Sequence, residues 1–451
     1  MRTVLIASRG EIAVRIIRTC KKLGLKTVAV YSENDQTCMH TRLADEAVCI
    51  GPRQAEKSYL NIESIIAAAR AYRADLIHPG VGFLSESAAF RLACEEEGIK
   101  FVGPDADAMR MLGDKQSARE IMIENGFPVV PGSTGAVDSL KTALNVAKTV
   151  GFPLMIKAAK GGGGKGIRIV RNAAELEQEF PMVCREAELA FGDKSVYMEA
   201  YLADARHIEV QVLADEHGNT RHFGTRECSL QRKNQKLLEE APAVNVDEAV
   251  LQDIQNTAVK IAQCVNYKNA GTVEFLLAQD NKFYFMEMNT RIQVEHPVTE
   301  SIYGMDLIKA QIQVAMGHHL TIPQEEIAAR GHSIECRINA ENVKENFRPS
   351  PGIIKAMNLP GGNGVRIDTG YAAGDEISPF YDSMIMKLIC TGDDRQEAIA
   401  LSMAALDELY IDGVSHNTEF AKAMLADNDF AAGRVHTKWI EKVFLNRWEK
   451  P

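Results

Sequence analysis

From residue 283 to 297 the chain reads FYFMEMNTRIQVEHP. Its odd positions carry Glu287, Asn289, Arg291, Gln293 and Glu295, and its even positions carry Met286, Met288, Ile292 and Val294. Successive side chains of an extended segment point to opposite faces, so the pattern predicts a strand with one apolar and one polar face, closed by His296 and Pro297. Upstream, residues 271–277 (GTVEFLL) form a second β-rich run, and Asp280-Asn281 between the two predicts a hairpin turn. With that pair at the tip, Glu274 lies across from Glu287. Two carboxylates about 5 Å apart repel by roughly 3 kcal/mol at an effective dielectric of about 20. Either they splay on a solvated face, or they and Asn289 hold a hard divalent cation; magnesium carrying substrate phosphates suits those oxygen donors.

The first third of the chain alternates. Strands are predicted at 3–7, 27–31, 47–50, 76–78 and 100–102, with helices at 11–23, 62–72 and 88–97. Such β/α alternation predicts a doubly wound parallel sheet. Arg9-Gly10-Glu11 and the loop 78–86 (HPGVGFLSE) then fall at the carboxyl ends of strands, where these sheets place ligand loops. Gly113-Asp114-Lys115 opens a further helix, and residues 152–157 read as a strand ending in Lys157. Residues 160–166 (KGGGGKG) formally match G-x-G-x-x-G, yet a strand follows at 167–170 instead of a helix, which argues against a dinucleotide fold. A Walker A loop needs Gly-Lys-Ser/Thr, which is also absent. The run reads either as a flexible surface hairpin or as a flap laying backbone N–H groups over phosphates.

Residues 195–199 predict a strand and 200–205 a connector. Residues 207–213 (HIEVQVL) alternate cleanly, which predicts a half-buried strand. Four cations fall within residues 226–236, a run that reads either as a solvated loop or as an anion site. Helices are predicted at 247–265, 306–316 and 394–410. Beyond Arg330 the texture changes to short strands punctuated by glycine, an α+β module. The 451 residues suffice for two to four domains.

Composition narrows the partners. A net charge of −10 argues against nucleic acid or an anionic membrane as the main partner. Nine scattered cysteines include no C-x-x-C, which fits reduced thiols in a cytoplasmic protein. The chain enters a strand at once without a signal-peptide pattern, and no apolar run is long enough to span a bilayer.

Several segments together carry a family likeness: IASRGEIAVRIIR, HPGVGFLSES, KAAKGGGGKGIRIV, RHIEVQVL, ECSLQRKNQK, GTVEFL, FMEMNTRIQVEHPVTE, ECRINAE and YDSMIMKL. Over essentially the whole chain they closely resemble the biotin carboxylases of the ATP-grasp superfamily. The resemblance implies an α/β and α+β fold in three parts: a doubly wound preATP-grasp domain (1–112), an ATP-grasp domain (113–325) with a mobile glycine-rich lid at about 130–203, and a C-terminal α+β domain (330–446). It implies that ATP phosphorylates bicarbonate to carboxyphosphate and that the carboxyl group moves to N1′ of protein-linked biotin.

By the same resemblance Lys115 and Lys157 contact ATP phosphates, with Gly163 and Gly164 in the lid. Glu199, Ala200, Tyr201 and Leu202 frame the adenine, and His207, Gln231 and Asn234 lie near the nucleotide. Glu274, Glu287 and Asn289 match metal ligands for Mg2+ or Mn2+, with two ions implied. Lys236, Arg291, Gln293 and the Val294 backbone match the bicarbonate pocket, Glu295 the general base, and Arg337 the stabiliser of the biotin enolate. The chemistry needs such groups: bicarbonate becomes a nucleophile when a carboxylate takes its proton, and fixed cations hold the developing anion. Arg337 pairing simply with Glu335 or Glu341, and His207 as a core histidine, are the bland alternatives.

The chain departs from the family pattern at Val81 (usually tyrosine), Ser87 and Ser8 (usually asparagine), Asn234 (often histidine) and Ala200 (often lysine), which leaves biotin affinity open. It carries no biotin-acceptor Met-Lys-Met; Met386-Lys387-Leu388 falls in a predicted strand. A biotin carboxyl carrier protein and carboxyltransferase subunits are therefore expected on separate chains, with a homodimer expected from the family. Acetyl-CoA carboxylase is the default assembly and a split pyruvate or 2-oxoacid carboxylase the nearest alternative. A different ATP-grasp ligase, of the carbamoyl-phosphate type, gives no reason for Arg291 to Glu295 together with Arg337. A regulatory subunit that binds ATP without turnover gives none for an intact Lys236, Arg291 and Glu295.

Overall fold

A computed structural model describes residues 1–158, 168–191 and 193–448. Its N-terminal part is a five-stranded parallel sheet, in the order Glu46–Gly51, Lys26–Ser32, Thr3–Ile6, Leu76–His78, Lys100–Phe101. Val4 and Ile6 face one core with Ile12 and Ile16 of the helix Gly10–Lys22; Leu5 and Ala7 face the other with Ile65 and Phe90. Helices on both faces bury the inner strands Lys26–Ser32, Thr3–Ile6 and Leu76–His78, while the edge strands stay partly exposed. The strand order reverses between Thr3–Ile6 and Leu76–His78, so the loops following them meet at the switch point. Gly80 has φ +67°, and a Cβ there would come within 2.6 Å of the Ser8 side chain. That close approach presses one loop onto the other. Ser87 accepts the Phe90 N–H and caps the helix Ala88–Glu96, a task serine and asparagine share.

A three-stranded antiparallel sheet, Arg168–Val170, Leu154–Ala158 and Val196–Ala200, packs against helices Leu140–Val150 and Ala173–Phe191. The glycines of 161–164, including Gly163 and Gly164, lie outside the described residues.

The site rests on an eight-stranded antiparallel sheet. Its order is Phe283–Asn289, Asn269–Leu277, Arg206–Ala214, Thr220–Arg232, Gln235–Ala241, His332–Asn339, Met384–Gly392, Val365–Thr369. The strands His332–Asn339, Met384–Gly392 and Val365–Thr369 of the C-terminal part extend this sheet, because His332–Asn339 pairs with Gln235–Ala241. Two expectations change here. The strand Arg206–Ala214 is buried on both faces, because it sits inside this sheet with Glu209 and Gln211 under the site. The basic run 226–236 is a hairpin instead of a loop. Lys233 (φ +49°) and Asn234 (φ +63°) form its tip, and asparagine tolerates that left-handed backbone.

Helix starts predicted at Asp247, Asp306 and Asp394 prove to be capping residues. Each carboxylate accepts a first-turn N–H and the helix begins one residue later. No helix among the described residues is long and apolar enough to cross a membrane.

Candidate active site

The hairpin forms, but its register is set by a β-bulge: Leu277 pairs with Phe283 and Phe275 with Phe285, and the register shifts by one residue between Phe275 and Glu274. Glu274 is registered directly against Glu287, and on its other side against Glu209, which pairs with Arg226. Three glutamates therefore run in a row across the sheet. Cations interleave them: Lys115 binds Glu287 at 2.8 Å, Lys236 binds Glu274 at 3.2 Å and Glu209 at 2.7 Å, and Arg226 binds Glu209. His207 Nε2 lies 3.1 Å from Glu274, and Asn289 donates to Glu274 at 2.9 Å.

The polar face does not continue as one strand. Extended structure ends at Asn289, residues 290–295 form a loop, and His296–Tyr303 is a helix with Pro297 in its first turn. Proline's fixed φ suits a helix start, so His296 and Pro297 open a helix where a strand end was expected. The loop still delivers its side chains to one place. Arg291 donates to Gln293 (2.9 Å) and Asn289 (3.1 Å), and Gln293 donates to Glu274 (3.1 Å). Glu295, 1% exposed, accepts from Lys236 at 2.5 Å and from Arg337 at 2.9 Å. Arg337 also donates through Nε to Glu239 at 2.6 Å, so it pairs with neither Glu335 nor Glu341.

Apart from Glu209, Arg226 and Glu239, which are buried beneath, these interacting side chains line one cleft of about 2240 Å³. Lys115, Lys157, Glu199, Tyr201, Gln231 and Asn234 line its far end, with Lys157 ion-paired to Glu199. Ala200 and Leu202 are absent from that lining among the described residues; the Ala200 N–H instead bonds the Pro131 carbonyl at 2.7 Å. The N-terminal loops close the near end through Arg9, Val81 and Phe83, with the Arg9 guanidinium stacked 4.3 Å over Tyr381. The four cations of 226–236 separate. Arg226 is sealed beneath the glutamate row, Lys236 faces the cleft, and Arg232 lies over the Phe347 ring at the tip.

Burial would push the Glu274 and Glu295 carboxyls up. Lys236 with His207 overcomes this at Glu274, and Lys236 with Arg337 and Arg226 at Glu295, holding both below the usual carboxylate range. Glu239 goes the other way: burial outweighs Arg337 and lifts it to about 7.

Sequence reasoning missed Glu209, Glu239 and Glu86. Glu209 shares a face with His207 by simple alternation and was there to be found. Glu86 accepts the Thr290 N–H and the Arg291 Nε, both at 3.1 Å, from a loop 204 residues earlier, a contact no local pattern signals.

Three family models match the chain. Residues 1–109 match "Biotin carboxylase, N-terminal domain", 114–323 match "Carbamoyl-phosphate synthase L chain, ATP binding domain", and 335–442 match "Biotin carboxylase C-terminal domain". Biotin carboxylase 1 of Bacillus subtilis is 50% identical over 442 residues, 98% of each chain. One pyruvate carboxylase component, from Methanothermobacter thermautotrophicus, is 48% identical, over 97% of this chain and 89% of that one. Among solved structures, the biotin carboxylase domain dimer of Hydrogenobacter thermophilus 2-oxoglutarate carboxylase, in complex with MgADP, ADP and bicarbonate, superposes with a TM-score of 0.90 at 44% identity, covering 98% and 97% of the two chains.

Proposed function

The chain belongs to the biotin carboxylase family and is an ATP-dependent ligase, and from that premise we propose that it carboxylates N1′ of biotin on a separate carrier protein, using bicarbonate and ATP. One observation carries the reading: a buried carboxylate, Glu295, lies between two cations, Lys236 and Arg337, beside a row of glutamates that suits a metal–nucleotide. Carbamoyl-type chemistry gives no reason for Arg337 to reach that carboxylate.

In this mechanism bicarbonate enters among Lys236, Arg291 and Gln293. Its negative charge draws on the cations that now hold Glu295, which raises the affinity of Glu295 for a proton. Glu295 takes the bicarbonate proton, and the freed oxygen attacks the γ-phosphorus of ATP, giving carboxyphosphate and ADP. Lys115 and Lys157 bind phosphate oxygens. Carboxyphosphate then breaks into CO2 and phosphate; the phosphate takes the N1′ proton of biotin, Arg337 steadies the ureido oxygen, and N1′ attacks CO2.

Glu274 and Glu287, with Asn289 at the strand end, form a hard oxygen donor set that fits magnesium or manganese. The ion would supply charge neutralisation on the transferring phosphoryl group. The family resemblance implies two ions, for which Glu274, Glu287 and Asn289 are the proposed ligands. Glu287→Gln is expected to raise the magnesium concentration for half-maximal activity by about 10–100-fold with little change in the bicarbonate KM; a magnesium titration of ATP hydrolysis checks this.

We assign the chain to an acetyl-CoA carboxylase in the cytoplasm, acting as a homodimer with carrier and carboxyltransferase subunits. The likeness to a pyruvate carboxylase component supports a split 2-oxoacid carboxylase as the second reading, since the acyl acceptor is chosen by another polypeptide. The deciding measurement is bicarbonate-dependent ATP hydrolysis with and without free biotin. Stimulation with carboxybiotin formed is expected; neither appearing overturns the proposal.

A further inference from the structure

Behind the loop that carries Glu295, two buried groups grip backbone carbonyls. Lys387, fully buried on the strand Met384–Gly392, donates through Nζ to the Val294 carbonyl oxygen at 2.8 Å. Its charge is balanced by Glu11 of the helix Gly10–Lys22, at 3.1 Å. His296, also fully buried, places Nδ1 2.7 Å from the Gln293 carbonyl oxygen. A carbonyl can only accept, so Nδ1 carries the hydrogen. Burial, with Lys387 and Arg15 nearby, keeps that imidazole neutral.

These contacts fix two consecutive peptides. In a planar trans peptide the N–H points opposite the C=O. Anchoring the Gln293 carbonyl therefore turns the Val294 N–H the other way, and anchoring the Val294 carbonyl does the same for the Glu295 N–H. Neither N–H bonds any described residue, while Val294 and Glu295 both line the cleft. Backbone N–H groups preset in this way form an anion cradle.

We propose that Lys387 and His296 are positioning residues: they hold the two peptides flanking Val294 so that the N–H groups of Val294 and Glu295 face the cleft and bind bicarbonate. This rests on the carboxylase reading above. It also ties three distant parts of the chain together, because the base's loop is held by the N-terminal helix and the C-terminal strand. Lys387 would otherwise be only a satisfied core lysine.

The two roles differ in what they do to kinetics. A cradle for bicarbonate affects the bicarbonate KM and spares ATP, whose candidate contacts Lys115 and Lys157 lie on other elements; general loosening affects both. In full-length protein, Lys387→Met and His296→Ala are each expected to raise the bicarbonate KM of ATP hydrolysis by about tenfold or more, with the ATP KM nearly unchanged. Lys387→Arg and His296→Asn, which keep a donor, should recover part of the loss. Equal changes in both KM values, or no change in either, overturn the proposal. If Lys387→Met fails to fold with Glu11 left unpaired, Lys387→Met with Glu11→Leu removes both buried charges and decides the matter with His296→Ala. Wild-type ATP hydrolysis that ignores bicarbonate would sink the carboxylase reading itself; a bicarbonate-dependent wild type with unaffected variants would sink only the positioning roles.

Discussion

Glu295→Gln is expected to lower bicarbonate-dependent ATP hydrolysis by about 10²–10⁴-fold while leaving the ATP KM nearly unchanged. Glutamine has the same shape but cannot take a proton from bicarbonate. The fold should survive, because both cations keep other partners: Lys236 retains Glu209 and Glu274, and Arg337 retains Glu239. The stability difference has a definite sign with pH. The folded Glu295 carboxyl sits well below its unfolded value of roughly 4.3. Its stabilisation is complete above about pH 5 and is lost as pH falls through the folded value. The variant lacks that contribution, so its deficit in urea unfolding should be present at neutral pH and shrink on acidification. A variant retaining more than about a tenth of wild-type turnover would remove Glu295 from the role of base.

The hairpin was legible in the sequence because its information is local. A period of two and an Asp-Asn turn mark the hairpin, and Asn281 adopts a left-handed backbone (φ +62°), while a β-bulge between Glu274 and Phe275 supplies the one-residue shift that brings Glu274 against Glu287. The same alternation misled beyond Asn289. It persists through Glu295 in sequence, but a strand also needs a neighbour, and there the chain leaves the sheet; Pro297 and the left-handed Gly304 bracket the helix that replaces it. The run 226–236 misled for a different reason. Its cations are close in sequence, yet β-bulges between Glu227 and Gln231 break the alternation and send Arg226 and Arg232 to different surroundings. Glu239, Glu86 and Lys387 could not be found at all from spacing. Lys387 reaches Val294 of the loop across 93 residues, and Arg337 reaches Glu239 across 98 through the pairing of His332–Asn339 with Gln235–Ala241. Family likeness names Arg337 and Glu295; only the sheet order explains why they touch.

Arg337→Ala should separate the two halves of the reaction. Arg337 touches Glu295, but Lys236 remains on that carboxylate, so formation of carboxyphosphate should be weakened less than transfer to biotin. Loss of a fixed cation at the ureido oxygen is expected to reduce carboxybiotin formation by about 10²–10³-fold. Bicarbonate-dependent ATP hydrolysis without biotin should fall by a visibly smaller factor, and comparing the two rates in one preparation gives the ratio. Equal losses would assign Arg337 to the base alone. Truncation also strands Glu239, a fully buried carboxyl that stands near 7 even with the guanidinium beside it. Without that partner its folded value rises further. A carboxyl raised above its unfolded value of roughly 4.3 makes the folded state bind more protons, so stability falls as pH rises through the window between the two values. Arg337→Ala should therefore be closest to wild type in stability near pH 5 and weakest near pH 8, the same direction as Glu295→Gln but in a higher pH window. Restoring neutrality with Glu239→Gln in the same chain should flatten that dependence without returning carboxybiotin, because it replaces the buried charge and not the cation that biotin meets.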